Sequence, residues 1–222
     1  MKKEVKEFFR MLKKNKQGIV GLVMIICIVL LGIFASVISP FDPEMTNAAD
    51  ARMAPCLAHL FGTDETGMDI FSRCIWAIRI DVVIGVFGTL ISLMIGIPFG
   101  LFAGYYEGII GEVILRIADL IQAFPAFILA MALVSALGNS TQNILMVVAF
   151  VNVPIYTRFV RGEVLAMKSR PFIEAGHTAG MSPTRIMFQE LLPNSLRPAL
   201  VQASINIGGA ILLTAGLSYI GA

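Results

Sequence analysis

Few side chains in this sequence are of a type and spacing that could do chemistry. It has two histidines, His59 and His177, and three cysteines. Cys27 sits in an apolar run, whereas Cys56 and Cys74 share one polar stretch. Those two could form a disulfide if that stretch faces an oxidising space, or stand as two thiols. There is no GxxxxGK[ST] phosphate cradle, no His/Cys cluster with metal-ligand spacing and no nucleophile beside a base. Chemistry within this chain is therefore not expected: no catalytic residue, no metal, no cofactor. What remains is a polar segment from Pro171 to Pro198 containing Glu174, which could carry contacts to another protein. There is also a row of polar residues, Gln202, Asn206, Thr214 and Ser218, at multiples of four with Ala210 completing it. Such a row lies on one slowly winding helix face. It could line a pathway or make interhelical hydrogen bonds.

The elements that must position these residues follow from composition. Of 222 residues, 57% are hydrophobic and 14% charged. A soluble domain carries roughly 25% charged residues, so this chain is read as an integral membrane protein, with length counted in spans of about 20 apolar residues. Residues 18–38 make one uncharged span, longer than a secretory apolar core and so an uncleaved anchor. Further spans are expected over Val82–Gly104, Ile117–Leu137, Thr141–Phe159 and Ala199–Ile220. The fold class is thus all-α, with five transmembrane helices. Organisation by segment is an N-terminal piece over 1–17, the first helix over 18–39, a loop over 40–80 and a transmembrane core over 81–222.

Direction follows from the distribution of lysine and arginine. Lys2, Lys3, Lys6, Arg10, Lys13, Lys14 and Lys16 precede the first span. Arg158, Arg161, Lys168, Arg170, Arg185 and Arg197 crowd 158–197. The loop at 39–80 holds three arginines beside Asp42, Glu44, Asp50, Asp64, Glu65 and Asp69. The N-terminus, 105–116 and 158–197 are expected in the cytoplasm and the acidic loop outside, an alternation that five spans satisfy. His59 and His177 then lie on opposite sides. The fifth span would end outside, and the sequence stops at Ala222 within apolar residues, so a further span is expected to follow.

Inside the spans, Gly96, Gly100 and Gly104 form a small-xxx-small ridge. Such ridges let helix backbones approach in lipid, either as a tight functional contact or as ordinary packing. Pro98, Pro125 and Pro154 each remove a backbone donor and could mark hinges. Arg116 and Asp119, three apart, are spaced to pair on a helix as interfacial anchors. In the polar segment, a short helix from Pro171 to Ala179 should end at Gly180, a residue suited to the left-handed cap. A second should start at Ser182-Pro183, present Ile186, Met187, Leu191 and Leu192 on an apolar side, and stop before Pro193.

Glu174-Ala175-Gly176, three residues, Gly180, then Leu192-Pro193 resembles the EAA loop of binding-protein-dependent ABC importer permeases. Gly176 replaces the third motif residue, and Glu190 stands where an apolar residue is usual. Gly62-Thr63-Asp64, Gly67, Asp69, Ser72 and Arg73 resemble the GTDxxGRDxxSR signature of the dipeptide, oligopeptide and nickel permease subfamily, with Met68 in place of arginine. AGYYEG (Ala103–Gly108), RIADLIQAFP (Arg116–Pro125), RFVRGEVL (Arg158–Leu165) and LPNSLRP (Leu192–Pro198) resemble the same subfamily. The likeness runs from about Gly18 to Ala222.

The resemblance implies a type I ABC importer permease fold, normally of six spans, with a cytoplasmic coupling helix that docks in a cleft of an ATPase subunit. It implies Glu174, Ala175, Gly176, Gly180, Leu192 and Pro193 as the coupling loop. It implies these partners: a second homologous permease, two ATPase subunits that bind ATP-Mg, an extracytoplasmic solute-binding protein and membrane lipid, with no nucleic acid. The solute would be a di- or oligopeptide, or a small solute such as a nickel complex, crossing the cytoplasmic membrane. An ion-coupled secondary transporter is the alternative; it expects ionisable groups and broken helices at mid-membrane, and the spans show few ionisable groups away from their ends. A non-transporting scaffold is a third reading, which co-purification with an ATPase pair would discriminate.

Overall fold

The computed structural model describes residues 15–221; Lys2, Lys3, Lys6, Arg10, Lys13 and Lys14 lie outside them. Among the described residues the regular structure is helical. Four helices are long and apolar enough to cross a membrane, and five spans result if one bent pair counts as a single span. The chain divides into two compact units at Val82–Val83.

In the first unit, α1 (Lys16–Ile33) starts where the Asn15 side chain accepts a hydrogen bond from the Gly18 N–H, 3.1 Å away. Its apolar side chains point outward: Val20, Met24 and Ile25 are all more than half exposed. A helix apolar on every side and left uncovered suits hydrocarbon, not water. Only Gly32 is buried, with Arg79 Cα about one van der Waals contact away, at 3.5 Å from a Cβ placed there. A short α2 (Ala35–Ile38) follows. A loop with one 3-10 turn (Ala48–Asp50) then leads to α3 (Ile70–Tyr105).

The helix thus begins inside the stretch 40–80 read as loop. Asp69 starts it: its carboxylate accepts from the Ser72 backbone N–H at 2.7 Å, the bond an N-cap makes. At about 1.5 Å per residue its 36 residues reach ~54 Å, well beyond the ~30 Å of hydrocarbon.

In the second unit, the glycine ridge of α3 lies against α6 (Thr141–Lys168). A Cβ on Gly96 would stand 2.6 Å from Tyr156 Cβ. One on Gly100 would stand 2.6 Å from the Thr157 carbonyl oxygen, and one on Gly104 2.7 Å from Val164 Cβ. The two backbones touch where glycine lets them. The buried Ser92 hydroxyl lies 2.8 Å from the Ala149 carbonyl on α6, a polar bond across the same contact.

Three expectations change here. The single span over Ile117–Leu137 is instead two helices, α4 (Ile109–Gln122) and α5 (Ala126–Leu137), bent by 82°. Pro125 lacks a donor and bars its predecessor Phe124 from helical geometry, so the chain turns there; Pro98 and Pro154 sit inside continuous helices. Asp119 pairs with Arg158 of α6, not with Arg116. Finally, the second short helix of the polar segment does not stop before Pro193. From Pro183 the helix runs through α8 (Pro183–Arg185) and a π-turn (Ile186–Leu191) into α9 (Leu192–Ile220). Pro193 lies within this continuous run, just after the π-turn. The π-turn passes the chain on with a wider bond, Leu192 N–H to the Met187 carbonyl. Cys56 and Cys74 are free and exposed.

Candidate functional site

The polar segment is built as a rigid, two-sided element. α7 (Pro171–Thr178) opens with proline at its first position, where a donor is not needed. It closes with a Schellman cap: the Met181 N–H donates to the Gly176 carbonyl and the Gly180 N–H to the His177 carbonyl, each at 3.0 Å. Gly180 has φ +72, the left-handed conformation that disfavours a Cβ. In this motif the residue after the glycine folds back over the last helical turn. Here that residue is Met181, and it lies above Gly176: a Cβ on Gly176 would meet Met181 Sδ at 3.2 Å. Glycine in the third motif position therefore gives the thioether its place. Ser182 then caps the next helix by accepting from the Arg185 N–H at 3.4 Å, with Pro183 following.

The two sides differ sharply. Ile173, Ile186, Met187 and Leu191 are at most 1% exposed. They enter one apolar cluster with Leu93, Ile97 and Leu101 of α3, Tyr156, Val160 and Val164 of α6, and Ala199 and Ala203 of α9. Leu192 is partly buried against that cluster. Glu174, Ala175 and His177 are exposed, as are Gly180 and Pro193, and Gly176 is buried. Glu190, half-buried, offers its carbonyl to the Asn194 side chain at 2.6 Å. The segment thus grips three long helices with one side and leaves a carboxylate-bearing surface on the other.

The root of α7 is fastened as well. Lys168, at the end of α6, donates to the Tyr105 carbonyl at 2.9 Å and to Glu107 at 2.8 Å, and lies 5.6 Å from the Tyr105 ring centre. The Lys168 hydrogen bond and charge, with Arg161 behind, hold the Glu107 carboxyl below its usual range. AGYYEG supplies Tyr105 and Glu107 and RFVRGEVL supplies Arg161, while Lys168 lies three residues past the second string, and neither string reveals that they meet.

The polar row on α9 is not one continuous surface. Gln202 donates to Asn206 at 3.0 Å, and both are half-buried. Thr214 is buried and donates to the Ala210 carbonyl, while Ser218 is exposed.

In the first unit, the GTDxxGxDxxSR residues build a loop, each with a task. Thr63 donates to the Asp50 carbonyl and accepts from the Met53 N–H. Asp64 accepts from the Thr66 hydroxyl and from the N–H groups of Thr66 and Met68, and pairs with Arg73. The Thr66 hydroxyl is the largest of the effects lowering its pKa, against a smaller rise from burial. A Cβ on Gly67, φ +81, would overlap the Asn47 carbonyl. Asp69 also accepts from the Ser72 hydroxyl at 2.6 Å and lies 2.9 Å from His59 Nδ1, with Phe41 stacked on the imidazole. Burial pushes the Asp69 carboxyl up, but the Ser72 and His59 contacts together carry it below the usual range. The Asp, His and Ser are not a nucleophilic relay, because the serine donates to the aspartate and not to the histidine.

Comparison with known proteins agrees with this layout. The family model described as binding-protein-dependent transport system inner membrane component matches residues 96–222. That for the N-terminal TM domain of oligopeptide transport permease C matches residues 5–55. The dipeptide transport system permease protein DppC of Alkalihalophilus pseudofirmus is 43% identical over 216 residues, which cover 97% of this chain and 71% of the relative. DppC of Haemophilus influenzae is 35% identical, over 99% of this chain and 77% of that one. The glutathione transport system permease protein GsiD of Pectobacterium atrosepticum is 34% identical, over 97% and 72%.

Proposed function

The chain belongs to the family of binding-protein-dependent transport system inner membrane components, and from that premise we propose that it forms half of an ATP-driven pathway for short peptides. It is a multi-pass permease subunit of an ABC importer, a membrane component and not itself an enzyme. Relatives named for dipeptides and for glutathione support a small peptide as solute, with a partner solute-binding protein selecting it. A second permease completes the pathway, and two ATPase subunits bind ATP-Mg. Gln202, Asn206, Thr214 and Ser218 are the proposed pathway-facing groups.

Coupling is assigned to Glu174, Ala175, Gly176 and Gly180, continued by Leu192 and Pro193, facing the cytoplasm together with the N-terminus. The observation that carries this is the two-sidedness of 171–192: Glu174 and Ala175 are exposed on a short capped helix whose other side is locked to α3, α6 and α9. An ATPase cleft that takes this helix can make a charge-assisted contact with Glu174. It then moves the spans as a rigid body, biasing a two-state equilibrium with each ATP bound. Because α9 continues from Pro183 without a break, movement passes directly along the last helix.

The test is ATP-driven dipeptide uptake by the assembled complex in proteoliposomes. Glu174→Ala combined with Gly180→Ala should abolish uptake while leaving the permeases assembled. Unchanged uptake, or labelling of a cysteine placed at Thr178 from the outer side of the membrane, overturns the assignment.

A further inference from the structure

A trough runs between α3, α4 and α6 in the second unit, with a volume of about 280 Å³. Ala118, Ala149, Pro154 and Thr157 form its floor and are buried. Ile95, Phe99, Ile117, Met146 and Phe150 rim it and are 40–56% exposed. Thr157 carries the one side-chain hydroxyl in the lining, and that hydroxyl is committed to the Val153 carbonyl at 3.1 Å. An apolar cavity stays dry, and a peptide would bury its amides there without partners. Hydrocarbon suits the lining.

The dimensions fit one chain. The α6 residues that line the trough run from Met146 to Thr157, about 16 Å at ~1.5 Å per residue. That is roughly half of the ~30 Å hydrocarbon thickness, the depth of one leaflet. At ~30 Å³ per water-sized group, the volume holds roughly nine, a single file of methylenes over that length.

One end of the trough is charged. Phe150, Pro154, Thr157 and Arg161 follow at spacings of four, three and four along one face of α6. Arg161 is therefore the next residue past the trough on the face that lines it, at the end nearer α7. Its backbone is pressed on α3: a Cβ on Gly100 would stand 3.1 Å from its nitrogen, and one on Gly104 3.1 Å from its carbonyl oxygen. A long helical side chain leans back over the preceding turn, here the turn of Thr157. Arg161 Nε is buried and has no hydrogen-bond partner, and a buried unpaired N–H calls for an acceptor. The neighbouring cations on α6 already have carboxylates, Arg158 with Asp119 and Lys168 with Glu107, whereas Arg161 is in no ion pair among the described residues.

We propose that the trough is a site for an anionic phospholipid, with one acyl chain between α3, α4 and α6 and the phosphate accepting from the Arg161 guanidinium. Arginine–phosphate contacts are charge-assisted, and basic groups between spans select anionic headgroups. The lipid belongs to the leaflet at the α7 end of the bundle.

The test is photolabelling of the assembled transporter in phosphatidylcholine nanodiscs. The probe is a trace of phosphatidylglycerol with a diazirine in mid-chain. The comparison is phosphatidylcholine with the same chain, whose choline cation offsets its phosphate. Mapped by mass spectrometry, phosphatidylglycerol should label residues 91–99 and 146–157 about tenfold more, the scale of one charge-assisted hydrogen bond. Arg161→Gln should bring the two lipids level, and Arg161→Lys should keep a preference. Ala149→Leu, which fills the floor, should lower labelling by both. Equal labelling of the wild type, a preference that survives Arg161→Gln, or unchanged labelling in Ala149→Leu overturns the proposal. So does a trough that neither lipid labels, the result if a helix of another subunit covers it. If Arg161→Gln does not assemble, competition in the wild type decides: unlabelled phosphatidylglycerol should displace the probe, and its failure to do so refutes the site. Displacement by inorganic phosphate would show a free-anion site and refute a lipid.

Discussion

Gly100→Ala tests whether α3 and α6 are held by backbone contact. An added Cβ would stand 2.6 Å from the Thr157 carbonyl oxygen, 2.8 Å from Val160 Cβ and 3.1 Å from the Arg161 nitrogen. Two of those three atoms are backbone, so no side-chain rotation relieves the crowding, and the helices must part by several tenths of an ångström. Overpacking of this kind costs about 1–3 kcal/mol. Alanine returns about 0.5–1 kcal/mol through its better helix propensity. Gly162, on α6, has nothing within 4 Å of a Cβ and isolates that second effect. Gly162→Ala should therefore be neutral or stabilising, and the two variants should differ by the overpacking alone, about 1–3 kcal/mol. Equilibrium unfolding of the permease in mixed micelles, read for both variants, measures the difference. Equal stabilities would refute backbone contact along the ridge.

Gly180→Ala should weaken α7 by about 1–2 kcal/mol, because the space is open and only the positive φ opposes the change. Gly180→Asn should recover part of it, as read by hydrogen exchange at the Met181 amide. Gly176→Ala should cost less than ~1 kcal/mol, since the atom it meets is the end of a flexible thioether; a larger loss in the same exchange experiment would show that Met181 cannot yield. Asp69 has a folded pKa below its unfolded value, so its contribution is present above about pH 4 and fades as pH falls through the folded value. Hydrogen exchange in the 59–72 loop should loosen across that acid range, and Asp69→Asn should be loose at neutral pH with no acid step. Asp119→Asn should change stability by less than ~1 kcal/mol, since both partners of the Arg158 pair are about half exposed; a thermal melt checks it.

The apolar windows and the capped helix over 171–180 were legible because each rests on local rules: hydropathy over a window, proline at a helix start and glycine after its end. The EAA-like motif was legible as a string, though what it touches was not. The third span broke because 117–137 is apolar throughout, and hydropathy does not register an 82° bend at Phe124-Pro125. Pro193 read as a stop because proline usually ends a helix, but the π-turn just before it carries the helix on.

The sequence by itself determined that this chain lives in a bilayer, which windows are apolar enough to cross it, and that Glu174 and Gly180 sit on a capped polar helix. These are properties of short windows, governed by transfer energies and backbone preference. Only the tertiary structure decided that Gly96, Gly100 and Gly104 meet the α6 backbone, that Lys168 ties down the root of α7, and that Asp119 chooses Arg158. Each joins residues dozens of positions apart, and such pairings depend on how helices cross, which no local window encodes.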